Sequence, residues 1–360
     1  MNRLLIVAPS WLGDAVMALP AIADVRRAVP GARLEVAARP GVASLFRMIE
    51  GVDRVIVREA GARFTAPSSA GSRARAAAPA PPGGAGERAA AIAPSAEPDV
   101  DRGFDAALLL PNSFRSALDV ARSRVRERWG YSADARAWLL TRAVPRPPAD
   151  THQVDSYQYL VRALGFANGD STPAITVPPD TRAAAAQLLE EAGWTGAPIV
   201  ALAPGAAFGG AKRWPPAFFA DLIRKLTARG IAAVLVGSAA DAGPARAVEA
   251  ALGADRPPLL TVVGRTDVAT LAGVLSHARA LVANDSGAMH LGAAIGLPVA
   301  AVFGPTNERL TAPRSRAASV VLTNPVWCRP CMLRECPLDH QCMRGVPAEA
   351  VAVAVDRLMS

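Results

Sequence analysis

Between Ala280 and Phe303 the sequence reads as one β-α-β step, and that step directs the chain to an α/β fold. An apolar strand, Ala280–Ala283, ends in Asn284-Asp285-Ser286-Gly287. A helix of small residues is expected over Gly287–Gly296, and Leu297-Pro298 leads into a second apolar strand, Val299–Phe303. In an open parallel sheet, ligands bind beyond the carboxyl ends of the strands, where these polar side chains are gathered. The free N–H groups and positive dipole end of the new helix suit an anion there. A phosphorylated ligand is the expectation.

With 360 residues, two domains of ordinary size are expected, and 51% apolar content fills two cores. No run of apolar residues is long enough to span a membrane. Asp14 interrupts the early apolar stretch, so Leu4–Ala8 reads as a buried strand and not as a secretory signal. The expected location is cytoplasmic. A net charge of +8 could signal nucleic acid, a membrane surface or an acidic substrate. Aromatic content of 5%, with no interleaving of basic and aromatic residues, argues against nucleic acid. Weak attraction to an anionic membrane surface or lipid head group is preferred.

The α/β rhythm falls into two halves. The first has strand Arg3–Ala8, helix Asp14–Val29, strand Arg33–Ala38, helix Val42–Glu50 and strand Arg54–Val57, then resumes with strand Phe104–Leu110, helix Ser113–Ala121 and a strand near Val125–Gly130. Between them, residues 60–98 are mostly Ala, Pro, Gly, Ser and Arg, a composition expected to remain disordered or loosely packed. Val144–Thr151 reads as a loop, His152–Leu164 as a helix and Asn168–Pro179 as a linker. The second half repeats the rhythm: helix Thr181–Ala192, strand Ile199–Ala203, helix Pro216–Arg229, strand Ala232–Gly237, a helix near Ala242–Leu252, strand Leu259–Val263 and helix Val268–Ser276. The expected domains are 1–178 and 179–345, with a terminal helix in 346–360 that packs back on the N-terminal domain. A cleft between two Rossmann-like halves is the expected place for chemistry.

Familiar nucleotide motifs are missing. Ala8-Pro9-Ser10-Trp11-Leu12-Gly13 stands where a dinucleotide enzyme would carry Gly-x-Gly-x-x-Gly. Gly205–Lys212 falls short of a P-loop, since Ala211 separates Gly210 from Lys212 and Arg213 replaces the Ser or Thr. Asp99-Val100-Asp101 could hold a metal but ends the low-complexity stretch. Three elements remain. Asp14 falls in the first turn of a helix after strand one, either as a dipole-stabilised carboxylate or as a general base. Lys212-Arg213-Trp214-Pro215 is either a solvated basic turn or a phosphate clamp, with Gly205 permitting close backbone approach. Asp285 suits sugar hydroxyls better than phosphate, while Ser286, Gly287 and the next amides suit a diphosphate. His290 is either packed or part of that site.

Trp11-Leu12-Gly13-Asp14-Ala15-Val16 with Leu19-Pro20, Lys212-Arg213-Trp214-Pro215, Asn284-Asp285-Ser286-Gly287 with His290, and Phe303-Gly304-Pro305-Thr306 resemble the ADP-heptose:lipopolysaccharide heptosyltransferases, an inverting family of GT-B fold. The resemblance covers almost the whole chain. Pro111-Asn112-Ser113-Phe114-Arg115-Ser116-Ala117 and the late cysteines are more like the type that adds the second heptose, and the first-heptose type tends to have a Thr pair where Ala207-Phe208 stands. The resemblance implies an ADP-heptose donor held by the C-terminal domain through Gly205, Lys212, Asp285, Ser286, Gly287, His290 and Thr306. It also implies a lipid A–Kdo–heptose acceptor against the N-terminal domain and Asp14 as catalytic base. No cofactor is implied. A sibling acting on another core acceptor, or a sugar-nucleotide 2-epimerase of the same fold, are the alternatives. The insertion at 60–98 is longer than the family usual.

All four cysteines, Cys328, Cys331, Cys336 and Cys342, lie close together with His340 among them. Cys-x2-Cys in an intracellular chain suggests metal or redox chemistry, but the second pair is spaced Cys-x5-Cys. A structural zinc site there is the minor expectation, reduced thiols the main one.

Overall fold

The computed structural model describes residues 1–59, 103–254 and 256–360. The expected insertion at 60–98 and the Asp99-Val100-Asp101 motif lie outside them. In the first half, β1 (Arg3–Val7) is followed by α1 (Leu12–Met17), α2 (Leu19–Ala28), β2 (Arg33–Ala38), α3 (Pro40–Arg47) and β3 (Arg54–Val57). Then come β4 (Ala106–Leu109), α4 (Phe114–Arg122), β5 (Glu127–Tyr131), β6 (Arg142–Val144) and α5 (Gln153–Ala163). The second half runs α6 (Pro179–Glu191), β7 (Ile199–Ala203), α7 (Pro216–Thr227), β8 (Ala232–Leu235), α8 (Ala242–Leu252), β9 (Leu259–Thr261), α9 (Val268–Leu275) and β10 (Ala280–Asn284). It closes with α10 (Gly287–Ala294), β11 (Val299–Phe303), α11 (Glu308–Thr311), β12 (Ser319–Thr323), α12 (Gln341–Arg344) and α13 (Ala348–Met359).

The strands form two parallel six-stranded sheets, ordered β3-β2-β1-β4-β5-β6 and β12-β11-β10-β7-β8-β9. In each, the order reverses beside a central strand, the switch point where an α/β sheet opens a crevice for ligand. The central strands β1, β7, β10 and β11 are almost wholly buried, as parallel strands covered on both faces must be. This is the two-domain α/β arrangement expected of the chain. Among the described residues no helix is long and apolar enough to cross a membrane.

Three local expectations need correction. The helix expected over Asp14–Val29 is two helices, because Pro20 lacks the N–H that a continuous helix would direct at Val16 and its ring crowds that carbonyl. Pro20 instead sits comfortably in the first turn of α2. The strands β6 and β12 were absent from the sequence reading. The terminal helix α13 makes its main contacts with α7, β10, β11 and β12, so it covers the second sheet and not the N-terminal domain. Its apolar stripe of Val351, Val355 and Leu358 joins the core formed by Val200, Leu202, Phe219 and Val282.

The linker is tied at both ends. Buried Asp24 of α2 accepts hydrogen bonds from Arg27 at 2.7 Å, Gln158 of α5 at 2.9 Å and the Gly169 backbone at 2.9 Å. Farther on, the Ile175 N–H donates to the Ala294 carbonyl at 2.9 Å. The halves also meet directly. Arg314 grips Asp155 with both ends of its guanidinium, at 2.7 and 2.5 Å, and the Ala269 N–H donates to Ser44 Oγ at 3.3 Å.

Candidate active site

The most extensive contact between the halves is α1 against α10, and glycine makes it possible. A Cβ on Gly287 would stand 2.7 Å from Leu12 Cβ, and one on Gly13 would stand 3.0 Å from the His290 ring. The contact at Gly287 cannot be met without a shift between the two helices, and the one at Gly13 requires the His290 ring to give by a few tenths of an ångström. Gly287→Ala is therefore expected to lower turnover about 100-fold, since a displacement of roughly 1 Å between reacting groups costs that much. The melting temperature should change by only a few degrees; a Gly287→Ala enzyme of parental turnover would show that the helix spacing does not matter.

Beside this contact lies a cavity of about 550 Å³, walled by the carboxyl ends of β7, β8 and β10 and by the start of α1. Asp14 is in the first turn of α1 and half-buried, and it accepts no hydrogen bond from any described residue. Burial raises its pKa to about 6; Lys212 opposes that rise and the charge of Asp285 adds to it. A lone carboxylate so placed is poised between holding and releasing a proton near neutral pH.

Across from it, Lys212 Nζ lies 2.5 Å from Asp285 Oδ2 and 4.8 Å above the ring of Phe208. The lysine is anchored by its surroundings. The loop 205–213 is braced by the cysteine-rich segment: the Ala211 N–H donates to the Arg334 carbonyl at 2.9 Å, the Gly210 N–H to Glu335 Oε1 at 3.1 Å, and Arg334 stacks on Phe208 at 5.3 Å. Asn284 fastens the loop to β10. It is fully buried, accepts from the Trp214 N–H at 2.9 Å, and donates to the carbonyls of Pro204 at 2.9 Å and Gly205 at 3.3 Å.

The helix α10 begins beneath this pair with no side chain capping its N-terminus. Ser286 Oγ is buried there without a hydrogen-bond partner, and Ser286, Gly287 and His290 all line the cavity. Burial depresses the His290 pKa to about 4, against the pull of Asp285, so the ring is neutral at pH 7. It can donate one N–H without adding charge.

Of the residues singled out in the sequence, Asp14, Gly205, Lys212, Asp285, Ser286, Gly287 and His290 line this one cavity. Thr306 does not. Its hydroxyl donates to Asp285 Oδ2 at 2.6 Å and is buried behind it, so it aligns that carboxylate instead of facing the cavity. Gly205 is also needed for an approach within the protein: a Cβ there would meet Asp241 Oδ1 at 1.9 Å. Among the described residues no three His, Cys, Asp or Glu side chains are grouped to hold a metal, although Cys342 lies within electrostatic reach of the other three thiols. Two of the thiols have neighbours of their own. Cys336 Sγ accepts the N–H groups of Leu338 and His340 at 3.4 and 3.2 Å, and Cys342 is buried beside Gly304.

Sequence reasoning missed the far end of the cavity. Val236, Val268 and Leu271 give it an apolar wall, with Ser238 and Asp241 beside them. Ser238 and Asp241 bond each other in a capping box at the end of β8, which holds the Asp241 carboxylate in place. The available signal was their position, just past the carboxyl ends of β8 and β9.

The family described as glycosyltransferase family 9 (heptosyltransferase) matches residues 100–341. The lipooligosaccharide heptosyltransferase 2 of Haemophilus influenzae is 27% identical over 327 residues, covering 89% of this chain and 88% of that protein. Lipopolysaccharide heptosyltransferase 2 of Salmonella typhimurium is 28% identical over 332 residues, covering 89% and 87%. In fold, the chain is similar to the solved Escherichia coli ADP-heptose LPS heptosyltransferase II, with a TM-score of 0.77, 23% identity and coverage of 100% and 98%.

Proposed function

The chain belongs to glycosyltransferase family 9, the heptosyltransferases, and is a glycosyltransferase; on that premise we propose that it moves heptose from ADP-heptose to the first heptose of a lipid A–Kdo–heptose acceptor, as the second-heptose enzyme of the inner lipopolysaccharide core. The observation that carries the reading is the unbonded carboxylate of Asp14 facing Lys212 and the uncapped start of α10 across one cavity. Its names come from similarity: the relatives reported above are type 2 enzymes at 27% and 28% identity.

The volume of about 550 Å³ suits a nucleotide sugar. The base of the nucleoside lies against Val236, Val268 and Leu271, and its ribose hydroxyls meet Asp241. The diphosphate takes the N–H groups of α10, the free Ser286 hydroxyl and Lys212, whose charge-assisted contact it shares with Asp285. Asp285, held by Thr306, accepts from heptose hydroxyls.

The reaction is a single displacement. The acceptor oxygen forms a bond to C1 of heptose on the face opposite the diphosphate, the bond from C1 to the diphosphate oxygen breaks, and the configuration inverts. The acceptor's hydroxyl proton passes to Asp14, and the charge gathering on departing ADP is met by Lys212 and the helix amides. Because the base works in its deprotonated form, kcat is expected to rise with pH and level off above about pH 6, the pKa of Asp14. A profile flat from pH 5 to 8 would remove Asp14 from the rate-limiting proton transfer.

The products of one incubation with ADP-heptose and acceptor test the reading. Release of ADP should equal formation of heptosyl-acceptor, with inverted configuration at C1 by NMR. Epimerised sugar nucleotide appearing without acceptor would replace the proposal with epimerase chemistry.

A further inference from the structure

The first domain exposes an aromatic pair that the cleft does not use. Trp138 is 72% exposed and Phe114 38%, with ring centroids 6.1 Å apart and planes inclined at 50°. Phe114 is the first residue of α4, just beyond the carboxyl end of β4, and Trp138 lies on a short 3-10 turn between β5 and β6. The pair is held out by a rigid base. Arg136 is fully buried, and its guanidinium donates to the carbonyls of Tyr131 at 3.0 Å, Pro111 at 2.6 Å and Ser113 at 3.2 Å, and to Ser116 Oγ at 3.1 Å. One side chain thus ties the loop before Phe114 to the turn before Trp138. This scaffold keeps most of the Trp138 ring and over a third of Phe114 in water.

The surroundings say what would cover them. The neighbours Ser113 and Arg115 line a smaller cavity of about 90 Å³, whose wall continues through Arg39 to Ser10, next to Trp11 at the mouth of the main cleft. Arg39 and Arg115 are exposed along this edge, Arg115 paired with Asp119 at 3.0 Å, and exposed Arg146 and Asp134 stand within electrostatic reach of Arg136, in a chain of net charge +8. An amphipathic tryptophan beside an apolar phenylalanine, flanked by arginines, matches the interfacial layer of an anionic bilayer, where tryptophan prefers head-group depth.

We propose that Phe114 and Trp138 form the surface by which this domain docks on an anionic lipid leaflet. The orientation rests on the reading above, in which the acceptor keeps its lipid anchor in the bilayer while its sugars reach Asp14. Because the edge carries nearly balanced charge, the rings supply most of the attraction, and binding persists in part at high salt.

Flotation of the full chain with vesicles of phosphatidylethanolamine and phosphatidylglycerol reads the docking without donor or acceptor. The Phe114→Ser/Trp138→Ser variant should bind vesicles at least about tenfold more weakly than the parent. Trp327→Ser, which removes a ring 83% exposed on the other domain, should bind like the parent. Transfer to deacylated, water-soluble acceptor should stay within about twofold of the parent in the double variant. Parental vesicle binding by the double variant, or no binding by the parent, overturns the proposal. So does an equal loss of transfer to the deacylated acceptor, which would make the pair a sugar platform. A parent that binds vesicles through these rings yet transfers to no acceptor would contradict the heptosyl reading and leave the docking surface standing.

Discussion

Asp14→Asn should lower transfer by about 10³-fold or more while ADP binds as tightly as to the parent, because a positioned general base contributes roughly 10² to 10⁴ in rate and the site leaves this base no substitute. Among the described residues the cavity lining offers only Asp14, Asp241, Asp267 and Asp285 as carboxylates. Asp285 is committed to Lys212 and Thr306, Asp241 to Ser238, and Asp267 to the Thr270 N–H at the start of α9. The neutral His290 ring packs against Gly13 and is held by burial from taking up a proton. The same substitution should stabilise the fold. With its folded pKa raised from 3.8 to about 6, Asp14 binds a proton more readily folded than unfolded, so stability falls as pH rises through that window. Asp14→Asn should therefore melt above the parent at pH 7, with the difference gone below pH 4. A variant both inactive and less stable at pH 7 would indicate a structural role.

Lys212→Ala should weaken ADP affinity and turnover together. A charge-assisted hydrogen bond is worth about 1.5–3 kcal/mol, so the loss in each is about 10- to 150-fold. A second consequence comes from Asp285, whose carboxylate is left buried with only the Thr306 hydroxyl. Breaking one side of a buried pair costs about 3–5 kcal/mol, and the partial exposure of the lysine puts this case at the lower end. The two effects separate in the double variant. Adding Asp285→Asn to Lys212→Ala should restore much of the melting temperature but none of the ADP affinity. Calorimetric ADP affinity equal to the parent in Lys212→Ala would sink the phosphate assignment, whatever the stability.

What the sequence revealed, and what it hid, follows from the range of the forces involved. Val299–Phe303, Ile199–Ala203 and Arg33–Ala38 are legible at their actual bounds because buried parallel strands are continuous apolar runs. Arg142–Val144 is three residues long with two exposed, and Ser319–Thr323 is a half-exposed edge, so neither carries that signal. The site was legible in its strand ends: Asp14, Lys212, Ser286 and His290 are collected into one cavity by the parallel order of the sheets. Direction was not legible. Nothing local says that Thr306 turns toward Asp285, that Asp241 fills the space beside Gly205, or that Cys342 packs under Gly304. Those outcomes depend on contacts between residues far apart in the chain.

The proposed reaction is transfer to one acceptor at one position. Its most direct test is the initial rate with ADP-heptose and purified lipid A–Kdo acceptors carrying zero, one or two heptoses. Product should form from the one-heptose acceptor, and the other two should give little or none. Equal rates on all three, a preference for the heptose-free acceptor, or no product from any of them would contradict the account.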